Sequence, residues 1–294
     1  MHTTGVRPAA TPTVQPQSRR GAAARGLLAA SHAAPALAVT AVVTALAVAW
    51  GRGTGGSALV ASAVLTGQLS VGWCNDRIDL HRDLATGRTD KPLVAGVVRP
   101  RSVAAAAGGA LALCVPLSLA GGLAAGAAHL VGVAAAWSYN LGVKRTALSW
   151  LPYAGAFALL PAFVTLALPG HPWPPAWVTA AGALLGTGAH LTNALPDIPG
   201  DLATGVRGLP HRLGPHLTRA LAATLLLAGA AALVLGPPGP LTTTDRACLA
   251  ATGTLALTVA LPTRDPRSRL PFLASLALAA LDIALLLLRG TPLT

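Results

Sequence analysis

The sequence predicts an all-α protein that crosses a membrane several times. Hydrophobic residues make up 53% of its 294 residues and charged residues only 10%, and the mean hydropathy is +0.61. A soluble domain carries roughly 25% charged residues, so this chain has too few to cover its surface in water. From residue 34 onward, apolar runs of roughly 16–23 residues alternate with short polar segments, and a helix crosses the bilayer core in about 20 residues. The runs are continuously apolar, which favours helices over the alternating strands of a β-barrel.

Two regions follow from this pattern. Residues 1–33, rich in Thr, Pro, Gln, Arg and Ala, are expected to form a disordered cytosolic tail. Residues 34–294 are expected to form one membrane domain of nine transmembrane helices, in which the many alanines and glycines allow close helix packing. The predicted spans are 34–50, 55–73, 102–123, 126–141, 150–168, 174–194, 217–236, 246–262 and 270–288.

Basic residues flank these spans and lie mostly on one side. With the N-terminus inside the cell, only three of the 21 lysines and arginines fall outside: Arg52, Arg246 and Arg289. The positive-inside rule therefore predicts a cytosolic N-terminus. The basic residues form no stripe and aromatic residues are only 4% of the chain, which argues against a nucleic-acid partner. The absence of glutamate and scarcity of lysine beside abundant alanine, glycine and arginine indicate a GC-rich bacterial genome, so we expect the bacterial inner membrane.

All nine acidic residues are aspartates, and five of them fall in two short clusters. The first cluster places Asp76, Asp79 and Asp83 on one helix face, with Asn75 at its edge. Carboxylates this close repel one another, and a divalent cation relieves the repulsion. Hard oxygen donors favour Mg2+, which commonly joins a few carboxylates to substrate phosphates. We therefore predict Mg2+ as the cofactor.

The second cluster holds Asp197 and Asp201, four residues apart. Pro196 and Pro199 make a continuous helix unfavourable here, so we expect the preceding helix to end near Asn193 and the aspartates to lie on a bent or restarted turn. Each cluster follows a span that ends on the cytosolic side, and the two spans are four helices apart. The sequence thus predicts two equivalent halves whose aspartates face the same compartment, plus a ninth helix.

Cationic side chains surround both clusters. Carboxylates, bound Mg2+ and several cations together describe a site that binds a diphosphate and stabilises the charge that builds on it as its C–O bond breaks. The candidate diphosphate contacts are Arg82, Arg88, Lys91, Lys144, Arg145 and Arg207.

Four stretches of the sequence are similar to one known family. They are the NDxxDxxxD pattern of 75–83, the segment 87–93 that trails it, the Tyr-Asn…Lys loop of 138–145, and the DxxxD of 197–201. From about residue 40 to 290, the chain resembles the UbiA-type intramembrane prenyltransferases.

The resemblance implies nine helices around a central cavity that opens sideways to membrane lipids. It also implies Mg2+-dependent transfer of a prenyl group from its diphosphate to a lipophilic, often aromatic, acceptor. The expected catalytic carboxylates are Asp79, Asp83, Asp197 and Asp201. With Asn75 and Asp76 they form the expected set of metal ligands.

Three further residues are candidates for the acceptor cavity. Tyr139 is implied by the resemblance to lie near the reacting end, and His190 and Asn193 either line the cavity or form interhelical hydrogen bonds. Two other functions stay open: an intramembrane terpene cyclase of the same fold, and a transporter. A transporter requires acidic residues in mid-membrane, where Asp282 is the candidate, although a structural role is the expectation for this residue.

Overall fold

The computed structural model describes residues 19–265 and 267–289, and these residues form helices and loops without strands. Each of the predicted apolar runs falls on a helix. The helices are α1 Arg19–Ala29, α2 Ala33–Ala49, α3 Gly53–Ala85, α4 Pro100–Leu119, α5 Leu123–Leu141, α6 Leu151–Thr165, α7 Ala176–Ala194, α8 Ile198–Ala203, α9 Leu209–Leu235, α10 Thr243–Ala260 and α11 Leu270–Arg289.

Four of these helices, α3, α4, α9 and α11, are long and apolar enough to cross a membrane within the described ranges. Helices α1 and α2 pass the same criterion together and are bent by 62° at their junction, so they add a fifth candidate. Helix α6 is apolar but shorter. The fold is therefore all-α and membrane-type, and the full number of spans stays a prediction.

Helix α1 lies in the segment that the sequence assigns to a disordered tail. Its Leu27 and the neighbouring Ala30 pack with Leu93 and Val98 of the loop after α3. Nε1 of Trp73 donates a hydrogen bond of 2.8 Å to the carbonyl oxygen of Leu27. Alanine favours helix formation, and this apolar contact holds the helix against the bundle. The rest of the predicted tail, residues 1–18, lies outside the described residues.

Consecutive helices pack side by side from α2 to α7, and α11 closes the arrangement by touching both α2 and α7. Small residues permit the closest approaches. A methyl group at Gly182 of α7 would stand 2.5 Å from the carbonyl oxygen of Phe157 in α6. Such contacts are typical of membrane helix interfaces, where small residues let backbones come together.

Helix α9 is broken near its start. Gly214 has φ 75° and ψ 168°, and Pro215 follows it. A positive φ is readily adopted by glycine, and proline is well suited to the first position of a helix. The chain therefore bends at Gly214 and restarts the helix at Pro215.

Candidate functional site

The first aspartate motif lies on the last turns of α3, which continues past the predicted span to Ala85. Asp76, Asp79 and Asp83 are only 2% or 3% exposed. Nζ of Lys91 lies 2.8 Å from Oδ1 of Asp76 and 2.9 Å from Oδ2 of Asp83. Burial acts to lower the pKa of Lys91, but these two carboxylates outweigh it and the pKa is raised. Lys91 is thus held as a cation between two aspartates of the motif.

Asp79, the middle carboxylate, has two cationic partners. Nζ of Lys144, in the turn after α5, forms an ion pair with its Oδ1, and Nη2 of Arg82 lies 2.8 Å from its Oδ2. Lys144 is itself buried, at 5% exposure. Burial lowers the pKa of Lys144, and Asp79 offsets part of that effect.

The second motif occupies a broken helix, as predicted from its prolines. Helix α7 ends at Ala194, a single 3-10 turn covers Leu195–Asp197, and α8 begins at Ile198. The side chain of Asp197 is half-exposed and lies 3.3 Å from Nη1 of Arg88. Partial burial and the nearby Asp201 raise the pKa of Asp197 despite this arginine.

Arg82 connects the two motifs directly. Its Nη1 donates to Oδ1 of Asp201 at 2.7 Å, while its Nη2 donates to Asp79. The other oxygen of Asp201 lies 3.0 Å from Nε2 of His211. Carboxylates that are far apart in the sequence therefore meet around one guanidinium group.

Two residues near the first motif have contacts that sequence reasoning missed. Nδ2 of Asn75 donates to Oδ1 of Asn140 at 2.9 Å, and Asn140 in turn donates to the carbonyl oxygen of Val71 at 3.0 Å. Nε2 of His32, at the corner between α1 and α2, lies 2.9 Å from Oδ1 of Asp76. Asn140 stands within the Tyr-Asn…Lys loop, which is a signal for it. His32 has no such signal, because it falls in the expected tail.

An aromatic cluster adjoins the ion pairs. The ring of Tyr139 meets those of Tyr153 and His190 edge-on, with centroids 5.3 Å and 5.5 Å away. Tyr139 is also within electrostatic reach of Asp79 and Asp201. The cluster therefore lies beside the carboxylates.

Tyr153 completes this cluster and was not among the predicted residues. Its ring lies 4.9 Å from that of His190 and stacks at 6.4 Å on that of Phe157. The imidazole of His190 also forms a hydrogen bond with Ser149, whose Oγ lies 3.1 Å from its Nε2. Oγ of Ser149 also accepts the backbone N–H of Leu209 at 2.9 Å, so this hydroxyl is fixed from two sides.

Arg145 and Arg207 stand apart from this network. Both are exposed, and neither forms an ion pair with an aspartate in the part of the chain that the structure describes. The other four candidate diphosphate contacts each touch at least one motif aspartate: Arg82, Arg88, Lys91 and Lys144.

The donor chemistry of the site fits Mg2+. The carboxylates and the amide of Asn75 supply hard oxygen atoms. No three acidic, histidine or cysteine side chains form a ready-made metal cage among the described residues. Each motif carboxylate is instead paired with a cationic or histidine side chain. Mg2+ is commonly bound through one or two carboxylates together with substrate phosphates and water, and does not need an all-protein cage.

Comparison with known proteins identifies the family. The model of the UbiA prenyltransferase family matches residues 23–285. The chain is 32% identical over 188 residues to digeranylgeranylglyceryl phosphate synthase of Methanothrix thermoacetophila, which covers 62% of this chain and 67% of that protein. It is 30% identical over 178 residues to the bacteriochlorophyll synthase 33 kDa chain of Cereibacter sphaeroides, covering 54% of this chain and 53% of the relative.

Solved structures of two archaeal relatives share the fold. A UbiA homologue from Archaeoglobus fulgidus bound to GPP and Mg2+ has a TM-score of 0.67 at 17% identity, covering 90% of this chain and 98% of that one. The apo UbiA homologue from Aeropyrum pernix K1 also has a TM-score of 0.67, at 20% identity, covering 89% and 96%. With the family model spanning most of the sequence, the chain belongs to the UbiA prenyltransferase family and is a membrane prenyltransferase.

Proposed function

We propose that this protein transfers a prenyl group from a prenyl diphosphate to a lipophilic, aromatic acceptor within the membrane, with Mg2+ as cofactor. The observation that carries the proposal is the contact of one guanidinium, that of Arg82, with a carboxylate of each motif. It brings two acidic clusters and four cations into one site. The Archaeoglobus fulgidus relative that shares the fold binds GPP or DMAPP together with Mg2+.

The residues that would hold Mg2+ are the oxygen donors of the two motifs: Asn75, Asp76, Asp79, Asp83, Asp197 and Asp201. When bound there, Mg2+ would neutralise charge on the diphosphate and so favour its departure. Asp79, Asp83, Asp197 and Asp201 are the carboxylates to which we assign the catalytic role.

The cations of the site have a second task in this proposal. Lys91, Lys144, Arg82 and Arg88 are held beside the carboxylates by ion pairs. A diphosphate offers them new acceptor oxygens at the same place, and charge-assisted hydrogen bonds to it strengthen as the leaving group gains charge. Arg145 and Arg207 would add contacts from exposed loops.

The aromatic cluster supplies the acceptor side of the site. As the bond between C1 and oxygen breaks, its electron pair stays on the diphosphate and C1 becomes electron-poor. The faces of Tyr139 and Tyr153 can stabilise such a cation. The acceptor then bonds to C1 and releases a proton. His190 and Asn193 would orient the acceptor by hydrogen bonding.

We also propose nine membrane spans within residues 34–294, a cytosolic N-terminus, and a site that faces the cytoplasm of a bacterial cell, at the inner membrane. Each predicted span falls on a helix, and most lysines and arginines fall in the segments that the proposed topology places on the side of the motifs. Exposed leucines such as Leu123 and Leu288, at 79% and 76%, suit contact with lipid tails around the bundle. A central cavity that opens sideways would admit lipophilic substrates from the bilayer.

Purified membranes incubated with Mg2+ and labelled prenyl diphosphates, with and without lipophilic acceptors, test this function. We expect Mg2+-dependent release of diphosphate together with a prenylated acceptor. D79N and D197N should each abolish release while the protein stays folded, whereas D265N, an aspartate of the α10–α11 loop outside both motifs, should not. A cyclised hydrocarbon formed without acceptor would identify a cyclase, and full activity of D79N and D197N would refute the assignment.

A further inference from the structure

A cavity of about 210 Å³ lies between α8, the restart of α9 and the loop from α10 to α11. Leu195, Ile198 and several prolines form its apolar walls, and His216, Arg219 and Thr263 are its polar residues. None of the metal ligands or diphosphate contacts proposed above lines it. The cavity is therefore a separate feature that the proposed reaction leaves unexplained.

Arg219 is a buried cation that forms no ion pair with any carboxylate of the described residues. It is only 6% exposed. Its Nη1 donates to the carbonyl oxygen of Leu261 at 3.3 Å and its Nη2 to Oγ1 of Thr263 at 2.9 Å. No aspartate lies within ion-pairing distance of Arg219, although all nine aspartates belong to the described residues. A guanidinium has five N–H donors, so donors and an uncompensated charge remain on the cavity wall.

Burying a charge without a counterion is costly. The contrast with the neighbouring site is clear, since the buried Lys91 and Lys144 each pair with aspartates. The neutral oxygens of Leu261 and Thr263 fix the guanidinium in place without neutralising it. Arg219 is thus positioned to meet an anion from outside the protein.

The helix that carries Arg219 points its positive end into the same cavity. Helix α9 restarts at Pro215 after the break at Gly214, and both Pro215 and His216 line the cavity. The amide groups of a first helical turn lack partners one turn earlier, and the helix dipole adds partial positive charge there. Phosphoryl groups bind well in such places. Arg219, one turn further along, adds a full charge.

We propose that this cavity binds a phosphoryl group, supplied by the headgroup of a membrane lipid. Helix α9, whose restart lines the cavity, is a candidate membrane span, and so is α11, which begins after the loop that lines the cavity. The cavity therefore lies at the polar end of α9. Its volume of about 210 Å³ is large enough for a phosphate group, and its apolar walls suit the adjoining glycerol and acyl carbons. Free phosphate has the same binding chemistry and is the alternative source.

The test uses the full-length protein in uncharged detergent with EDTA and without prenyl diphosphate, so that it does not depend on the proposed reaction. Calorimetric titrations compare dioctanoyl phosphatidic acid, dioctanoylglycerol and inorganic phosphate. The variants are R219Q and R219K, and the matched control is R212Q, an exposed arginine on the first segment of α9. We expect the wild type to bind phosphatidic acid and R219Q to bind it at least about tenfold more weakly. The affinity of R219K should lie between these two, and that of R212Q should equal the wild type's.

Binding of phosphatidic acid but not of inorganic phosphate identifies a lipid headgroup site. Comparable binding of both, lost in R219Q, keeps the phosphoryl site and assigns it to soluble phosphate. Equal affinity of wild type and R219Q, or equal binding of dioctanoylglycerol, overturns the proposal. If R219Q does not purify as a folded protein, R219K and H216Q carry the same comparison, and unchanged affinity in both overturns the proposal.

Discussion

Nη1 of Arg82 lies 2.7 Å from Oδ1 of Asp201, although 119 positions separate the two residues in sequence. The pair connects the end of α3 to α8 and so joins the two halves of the site. Because a guanidinium presents its donors in a rigid planar fork, Arg82 can contact Asp79 at the same time. Arg82 therefore helps to set the spacing between the two acidic motifs, together with the contact of Arg88 with Asp197.

Substitution R82K tests this dependence. Lysine keeps the charge but loses the fork, so it cannot hold both carboxylates in the same geometry. We expect diphosphate release to fall by about tenfold or more, as when one charge-assisted contact is lost from the reacting geometry. The matched control is R101K, an exposed arginine at the start of α4. Equal rates for R82K and R101K would contradict the bridging role.

Substitution K91M tests the charge balance of the first motif. It leaves Asp76 and Asp83 buried without the ammonium group that lies between them. Removing one partner of a buried ion pair typically destabilises a protein by about 3–5 kcal/mol. We therefore expect a lower thermal unfolding temperature in EDTA, which Mg2+ partly restores because a divalent cation can take the place of the ammonium. Unchanged unfolding of K91M in EDTA would show that Lys91 does not neutralise these carboxylates.

Two substitutions at His32 distinguish the effect of its left-handed backbone conformation from the effect of its side-chain contact with Asp76. This residue has φ 54° at the corner between α1 and α2 and touches Asp76. Both H32G and H32A remove the imidazole, but alanine in a left-handed conformation costs about 1 kcal/mol that glycine avoids. We expect H32G to be more stable than H32A by about that amount in denaturant titrations, while diphosphate release falls equally in both. A difference in activity that follows stability would assign His32 a purely structural role.

Substitutions at Tyr153 test the aromatic cluster. Y153F keeps the ring that packs against Tyr139 and His190 and loses only the hydroxyl group. Y153L loses the aromatic face as well. An aromatic contact is worth about 0.5–1.5 kcal/mol, so we expect kcat of Y153L to fall roughly threefold to tenfold below that of Y153F. Similar kcat values for the two variants would remove the aromatic face from the mechanism.

The sequence was sufficient to predict the apolar helices α2 to α7 and α9 to α11, though not α1, and the break in the second motif. Long apolar runs indicate segments that contact lipid or pack inside the bundle, and each run coincides with a helix in the structure. Pro196 and Pro199 cannot continue α7, and the chain accordingly forms a 3-10 turn and then α8. These features depend on local chemistry, which a single sequence contains.

The contacts that the charged residues make with distant residues were harder to predict from the sequence. Arg82 is three residues from Asp79, so that contact follows from helix geometry, but its contact with Asp201 requires the end of α3 to lie beside α8. Tyr153 lies in an apolar run with no charge or motif to mark it. His32 lies at a corner that exists only because α1 packs on the loop after α3. Long-range packing decides these positions, and one sequence does not reveal it.

The contact between Arg82 and Asp201 also has a consequence for how the protein is made. The ribosome synthesises the first motif, Lys91 and Lys144 long before it reaches Asp201. Until then, Arg82 can pair with Asp79 but not with Asp201. Domains generally fold in the order of their synthesis. The candidate site is consequently one of the later features to assemble, because a nascent chain halted after α6 lacks Asp201 and the contact that Arg82 makes with it.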